Sequence, residues 1–162
     1  RSIVGQQISV KAAQSVWNRL AATAADISPH GLLNMELDAI RACGLSARKA
    51  EYVLDLARGF RDGSLSVADW PMWEDERIIE NLVKIRGIGR WTAEMFLMFH
   101  LLRPNVLPLD DLGLQNAIRL HYANGRAVSV KRMRAIASNW SPWCSVATWY
   151  LWRSLDPVPV DY

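Results

Sequence analysis

Residues 82–111 set a Gly87-Ile88-Gly89 turn between two helical patterns and then place an acidic pair, Asp110 and Asp111, behind Pro108. Before the turn, Ile78, Ile79, Leu82 and Val83 recur at helical spacing. After it, the stretch from Trp91 to Leu102 is apolar except for Thr92, Glu94 and His100. A helix apolar on every side is a buried one, so this second segment is expected to be a central core helix. Two helices joined by about four residues make a tight helical hairpin. The glycines free the backbone, and the amides of Gly87 and Gly89 would then face outward at a helix start that favours an anion. Lys84, Arg86 and Arg90 flank the turn, which suits a nucleic-acid phosphate. On spacing alone, an ordinary helix–helix turn is an equally good reading.

The remainder of the chain also reads as helical. The chain opens at Arg1, inside what reads as a helix running through Gln14 and Trp17. Val53, Leu56, Ala57 and Phe60 predict an amphipathic helix over residues 47–61, stopped by Asp62-Gly63-Ser64. Residues 66–73 read as a loop ended by Pro71, and residues 112–122 as a helix that Asp110 or Asp111 could cap. Met133, Ile136 and Ala137 mark a further helix. Pro142 is placed to start the last one, which should end before Pro157 and Pro159. No sustained strand, repeat or low-complexity segment is visible, so the expected class is all-α: one domain over residues 1–162, or two small helical lobes.

Charge is distributed unevenly. Residues 77–134 hold ten Lys or Arg against four Asp or Glu, a net of +6, while the other residues hold nine against twelve, a net of −3. The hairpin thus lies in the basic part, which suggests a surface facing a polyanion. Cys43 and Cys144 are too few and too far apart for a disulfide framework or a metal knuckle, and they rule out a four-cysteine iron–sulfur cluster. No apolar run approaches the ~20 residues that span a bilayer. The expected setting is therefore cytoplasmic, or nucleoid-associated in a bacterium, with no membrane partner.

The string Ile85-Arg86-Gly87-Ile88-Gly89-Arg90-Trp91-Thr92-Ala93 resembles the hairpin of the helix-hairpin-helix DNA glycosylases, and Asp111 follows at the distance of that superfamily's catalytic aspartate. Ile3-Val4-Gly5-Gln6-Gln7-Ile8-Ser9 resembles the opening of the glycosylase core. Cys43-Gly44-Leu45 with Arg48-Lys49-Ala50-Glu51 resembles its next element, and Trp140 to Ser145 with Trp149 to Trp152 its closing helix. The matches run over roughly residues 3–153, and the branch resembled is that of 3-methyladenine DNA glycosylase II. The resemblance implies a two-lobed helical core, and one that is N-terminally incomplete, because family members carry further structure before this point.

It also implies roles. Asp111 would be the catalytic carboxylate; on local sequence it is equally an N-cap, and one residue can do both. Trp91 stands where relatives that also nick the backbone carry a Schiff-base lysine, so the enzyme would be monofunctional, a hydrolase that leaves an abasic site. Trp91, Met95, Leu112 and Trp152 would wall a pocket for an alkylated purine such as 3-methyladenine, a cationic base suited to aromatic stacking. Relatives carry tyrosines at positions 95 and 112, so this pocket would be less polar. The backbone and side chains of Lys84, Arg86, Gly87, Ile88, Gly89, Arg90 and Thr92 would hold double-stranded DNA. Val4, Gln6 and Gln7 would form the wedge that fills the space of an extruded base, unless the glutamines only satisfy buried backbone groups. Carbonyls of Val83, Ile85 and Ile88 would hold a structural Na+ or K+; no cofactor is expected for catalysis. The protein would act as a monomer. The rival readings are a glycosylase for uracil or a deaminated purine, and a non-catalytic helix-hairpin-helix DNA-binding module.

Overall fold

The computed structural model describes residues 1–65 and 67–156. Among them every regular element is helical, in two compact units, one up to Thr92 and one from Ala93 onward.

The first unit begins with α1 (Ser2–Gly5) and α2 (Val10–Thr23), so the expected continuous opening helix is in fact broken. The break is set by Gln7, whose φ of 58° is left-handed, and by Ser9, whose hydroxyl accepts the Ala12 amide and caps α2. Two short helices, α3 (Pro29–Leu33) and α4 (Leu37–Ala42), lead to α5 (Ala47–Arg61). The bounds of α5 are those its periodicity predicts, with Ser46 capping one end and Asp62 and a left-handed Gly63 closing the other. Val53, Leu54 and Ala57 are buried on its inner face. Val53 and Leu54 share a core with Ile3, Val4, Val16, Leu20 and Ile40. The segment expected to be a loop contains a 3-10 turn at Trp70–Met72, with Trp70 fully buried; Ser66 lies outside the described residues. The unit continues through α6 (Asp75–Leu82) and the Gly-Ile-Gly turn into α7 (Arg90–Phe99), and the division between units falls within α7.

α7 departs from its expected form in two ways. It ends at Phe99, short of Leu102, which takes a left-handed φ of 54° and is exposed. It is also not buried all round: Thr92, Ala93, Glu94, Leu97 and Met98 are buried, whereas Trp91 and Phe99 are exposed. Apolar composition marks a side chain that water disfavours, but not whether the fold covers it.

The second unit holds α8 (Leu112–Ala123), α9 (Val130–Ala137) and α10 (Cys144–Arg153). Leu109, Leu114, Ile118, Met133 and Ile136 form its core, with Leu151 and Trp140 packed against it. α8 starts at the predicted residue and ends at Asn124 in the left-handed conformation, one of the few non-glycine residues that accept it readily. Pro142 lies just outside α10, and that helix ends before Pro157 and Pro159, which are beyond the described residues. Cys43 and Cys144 are both buried free thiols, and burial pushes the Cys144 thiol pKa upward. No helix among the described residues is long and apolar enough to cross a membrane.

Candidate active site and hairpin

The hairpin is built from within the first unit. Gly87 has a φ of 86°, and a Cβ there would overlap the ring of Tyr52 on α5, so the position demands glycine twice over. Gly89 faces open space, so nothing in the fold requires its lack of a side chain. The turn is closed by the Ile88 amide donating to the Ile85 carbonyl at 3.1 Å, and the Ile88 side chain packs on the unit's core. Gln6 donates from Nε2 to the Gly87 carbonyl at 2.8 Å, and more weakly to the Thr92 hydroxyl at 3.5 Å. Gln6 is therefore a brace between the opening segment and the hairpin, and it satisfies backbone as the alternative reading held.

Two expectations for this unit are corrected. Val4 is 2% exposed in the core and has no free side chain to insert between bases. Thr92 is buried, so its side chain does not face DNA. Arg86 and Arg90 do not stand as uncompensated charges. Arg86 pairs with Asp55 at 2.6 Å and lies 3.7 Å from Glu51, and Arg90 makes a bidentate pair with Glu76 at 2.6 and 2.7 Å. The hydrogen bond from Arg86 holds the Asp55 carboxyl below its ordinary pKa, and that from Arg90 does the same for Glu76. Lys84, Arg86, Gly89, Arg90 and Gln7 are all exposed, as is Ile8 beside Gln7. Pattern reading also missed Lys49. Its ammonium donates to the carbonyls of Val4 at 2.9 Å and Gln6 at 2.6 Å, closing the end of α1, and desolvation lowers its pKa.

The second unit holds the carboxylate. Asp111 is the N-cap of α8. Its Oδ1 accepts the Leu114 amide at 2.6 Å and the indole N–H of Trp152 at 2.7 Å. Trp152 in turn stacks with Phe99, ring centroids 6.1 Å apart and planes at 18°. Gly113 lies against this pair, since a Cβ there would sit 2.9 Å from Trp152 Cδ1 and 3.0 Å from Asp111 Oδ1. The loop that delivers Asp111 is pinned by Gln115 donating to the Leu109 carbonyl at 2.8 Å, and by Ser145, whose hydroxyl donates to the Arg103 carbonyl at 2.6 Å and accepts the Val106 amide at 3.0 Å. The structure therefore brings Asp111 and Trp152 together, with Leu112 exposed on the first turn of α8. Met95 is half-buried on α7, four residues beyond the exposed Trp91. Asp110 is exposed and takes no part in the cap. Phe99 and Gly113 are site residues that pattern reading did not single out.

The comparisons agree with this architecture. Residues 1–142 match the family model described as the HhH-GPD superfamily base excision DNA repair protein. A Bacillus subtilis relative, provisionally named a DNA-3-methyladenine glycosylase, is 42% identical over 128 residues, which is 79% of this chain but 45% of the relative. DNA-3-methyladenine glycosylase 1 of Schizosaccharomyces pombe is 32% identical over 158 residues, covering 95% of this chain and 69% of its own length. This chain thus spans less than half of the first relative and about two thirds of the second. Among solved structures, the DNA-3-methyladenine glycosidase of Bacillus halodurans superposes with a TM-score of 0.90 at 36% identity, over 96% of this chain and 73% of that one. The family match covers most of the chain, which belongs to the HhH-GPD superfamily of base excision DNA repair proteins.

Proposed function

We propose that this chain is the core of a monofunctional DNA glycosylase that removes alkylated purines, such as 3-methyladenine, from double-stranded DNA and leaves an abasic site. The observation that carries this is Asp111, a carboxylate fixed by two donors at the start of α8, in a chain of this superfamily. In support, an S. pombe 3-methyladenine DNA glycosylase crystallised with abasic DNA aligns with 99% of this chain at a TM-score of 0.83 and 30% identity.

In this reading the C1′–N bond of the flipped nucleotide breaks, and the base departs with the bonding electron pair. A purine alkylated on the ring carries a positive charge, so it leaves neutral and needs little acid assistance. Positive charge develops on the sugar, and Asp111 stabilises it electrostatically. Water adds at C1′, and its proton passes to Asp111 or to solvent. In this reading Met95, Leu112 and Trp152 wall the pocket, and Trp91 cannot make a Schiff base, so the strand stays intact. The exposed Gly89 edge and the basic side chains around it meet the backbone, Arg86 and Arg90 exchanging carboxylate for phosphate. Gln7, exposed where Val4 is buried, fills the vacated stack in this reading. The carbonyls of Val83, Ile85 and Ile88 are hard neutral oxygens that suit Na+ or K+, and the Ile85 carbonyl keeps a second lone pair beside its turn hydrogen bond. That ion would be structural.

The test is product analysis on methylated and on uracil-containing duplexes. Released methylated purine, with strand scission only after alkali and no covalent adduct on borohydride reduction, is the expected result. Scission without alkali, or release of uracil alone, would reject this reading. DNA binding with no base release from any duplex would favour a non-catalytic module.

A further inference from the structure

Asp111 is held more tightly than a helix cap requires. One amide donor, from Leu114, satisfies the cap, and the terminal torsion of an aspartate is broad and roughly two-fold, so a single bond leaves the carboxylate plane free to turn. A second donor on the same oxygen, from an element 41 residues away, removes that freedom. The indole that supplies it is itself steadied by stacking on Phe99. Its approach depends on position 113. A methyl group there would fall 2.9 and 3.0 Å from Trp152 Cδ1 and Nε1 and 3.0 Å from Asp111 Oδ1, so either the indole or the carboxylate would have to move. Gly113 sits in the first turn of α8, where alanine is the better helix former.

We propose that Trp152 is a positioning residue for Asp111, acting through its indole N–H, and that Gly113 is the gap that admits it. The proposal rests on Asp111 being the reacting carboxylate. It gives Trp152 a task distinct from walling the pocket, because a carboxylate oriented before the sugar becomes positive needs no reorganisation during the reaction.

The experiment uses the full chain and compares Trp152→Phe, which keeps an aromatic ring but removes the donor, with Gly113→Ala, which alters neither partner, and with Asp111→Asn. Of the eight tryptophans, the indole N–H resonance absent from Trp152→Phe identifies Trp152. That resonance should move upfield in Asp111→Asn and in Gly113→Ala. Single-turnover release of 3-methyladenine at saturating enzyme should fall roughly tenfold to hundredfold in Trp152→Phe and Gly113→Ala. Affinity for the duplex should be unchanged in both variants. Wild-type single-turnover rates in both variants, beside an inactive Asp111→Asn, would overturn the positioning role. So would a loss confined to affinity, which is the signature of a pocket wall alone. Wild-type release by Asp111→Asn would instead overturn the glycosylase mechanism beneath it.

Discussion

Gly87 and Gly89 look equivalent in the sequence and are not equivalent in the fold. Gly87 combines a left-handed φ with a Tyr52 ring where a side chain would go, whereas Gly89 has open space on that side. Gly87→Ala should therefore cost about 1–3 kcal/mol of stability and weaken binding to lesioned and undamaged DNA alike. Gly89→Ala should leave thermal unfolding nearly unchanged while weakening DNA binding, because under the proposed function its methyl group would stand in the way of a phosphate. Melting curves and fluorescence anisotropy on one duplex separate the two. Full DNA affinity in Gly89→Ala would mean that this edge does not meet the backbone. Lys49 is a second residue whose weight lies in its partners. Lys49→Met leaves the Val4 and Gln6 carbonyls without their donor and should lower stability by roughly 1.5–3 kcal/mol, the range of a charge-assisted hydrogen bond. Denaturant unfolding measures it.

At the scale of the element, the hairpin is a basic turn whose arginines already hold carboxylates. An exposed pair contributes little to stability, so under the proposed function Glu76 would chiefly compete with DNA for Arg90. Glu76→Gln should tighten binding to undamaged duplex several-fold at low salt, with the difference shrinking as salt rises. Equal affinities at low salt would show that the pair opens without cost or that Arg90 makes no phosphate contact. The same pairs set a pH dependence. Asp55 and Glu76 have folded-state pKa values lowered by Arg86 and Arg90, so each contributes stability that is present at neutral pH and lost as pH falls through the depressed value. The double variant Asp55→Asn, Glu76→Gln should show a shallower loss of melting temperature on acidification than the parent. A parallel loss would assign the acid sensitivity elsewhere.

Across the whole molecule, the legible parts are those that local physics decides. The face of α5, the start of α8 and the buried Met133, Ile136 and Ala137 of α9 follow from spacing and from capping residues. The capping role of Asp111 was visible in the same way. Tertiary facts were not. The break after α1 lies at Gln6-Gln7-Ile8, which has neither glycine nor proline to announce it, and Gln7 alone takes the left-handed turn. α7 stops at Phe99 although Leu101 and Leu102 carry the apolar pattern on past His100, because backbone closure and not hydropathy ends it. Val4 and Gln7 are both wedge candidates in the sequence until burial removes Val4. The Trp152–Asp111 hydrogen bond joins positions that no local pattern links, and only the missing Cβ of Gly113 hints at a close approach.

The measurement that bears most directly on the central claim is base release from methylated duplex DNA by this chain and by its Asp111→Asn variant, with duplex binding followed in parallel. The expected result is 3-methyladenine or 7-methylguanine released by the parent, release reduced by at least about a hundredfold in the variant, on the order expected for removing a preorganised charge, and similar DNA affinity in both. Undiminished release by Asp111→Asn would contradict it.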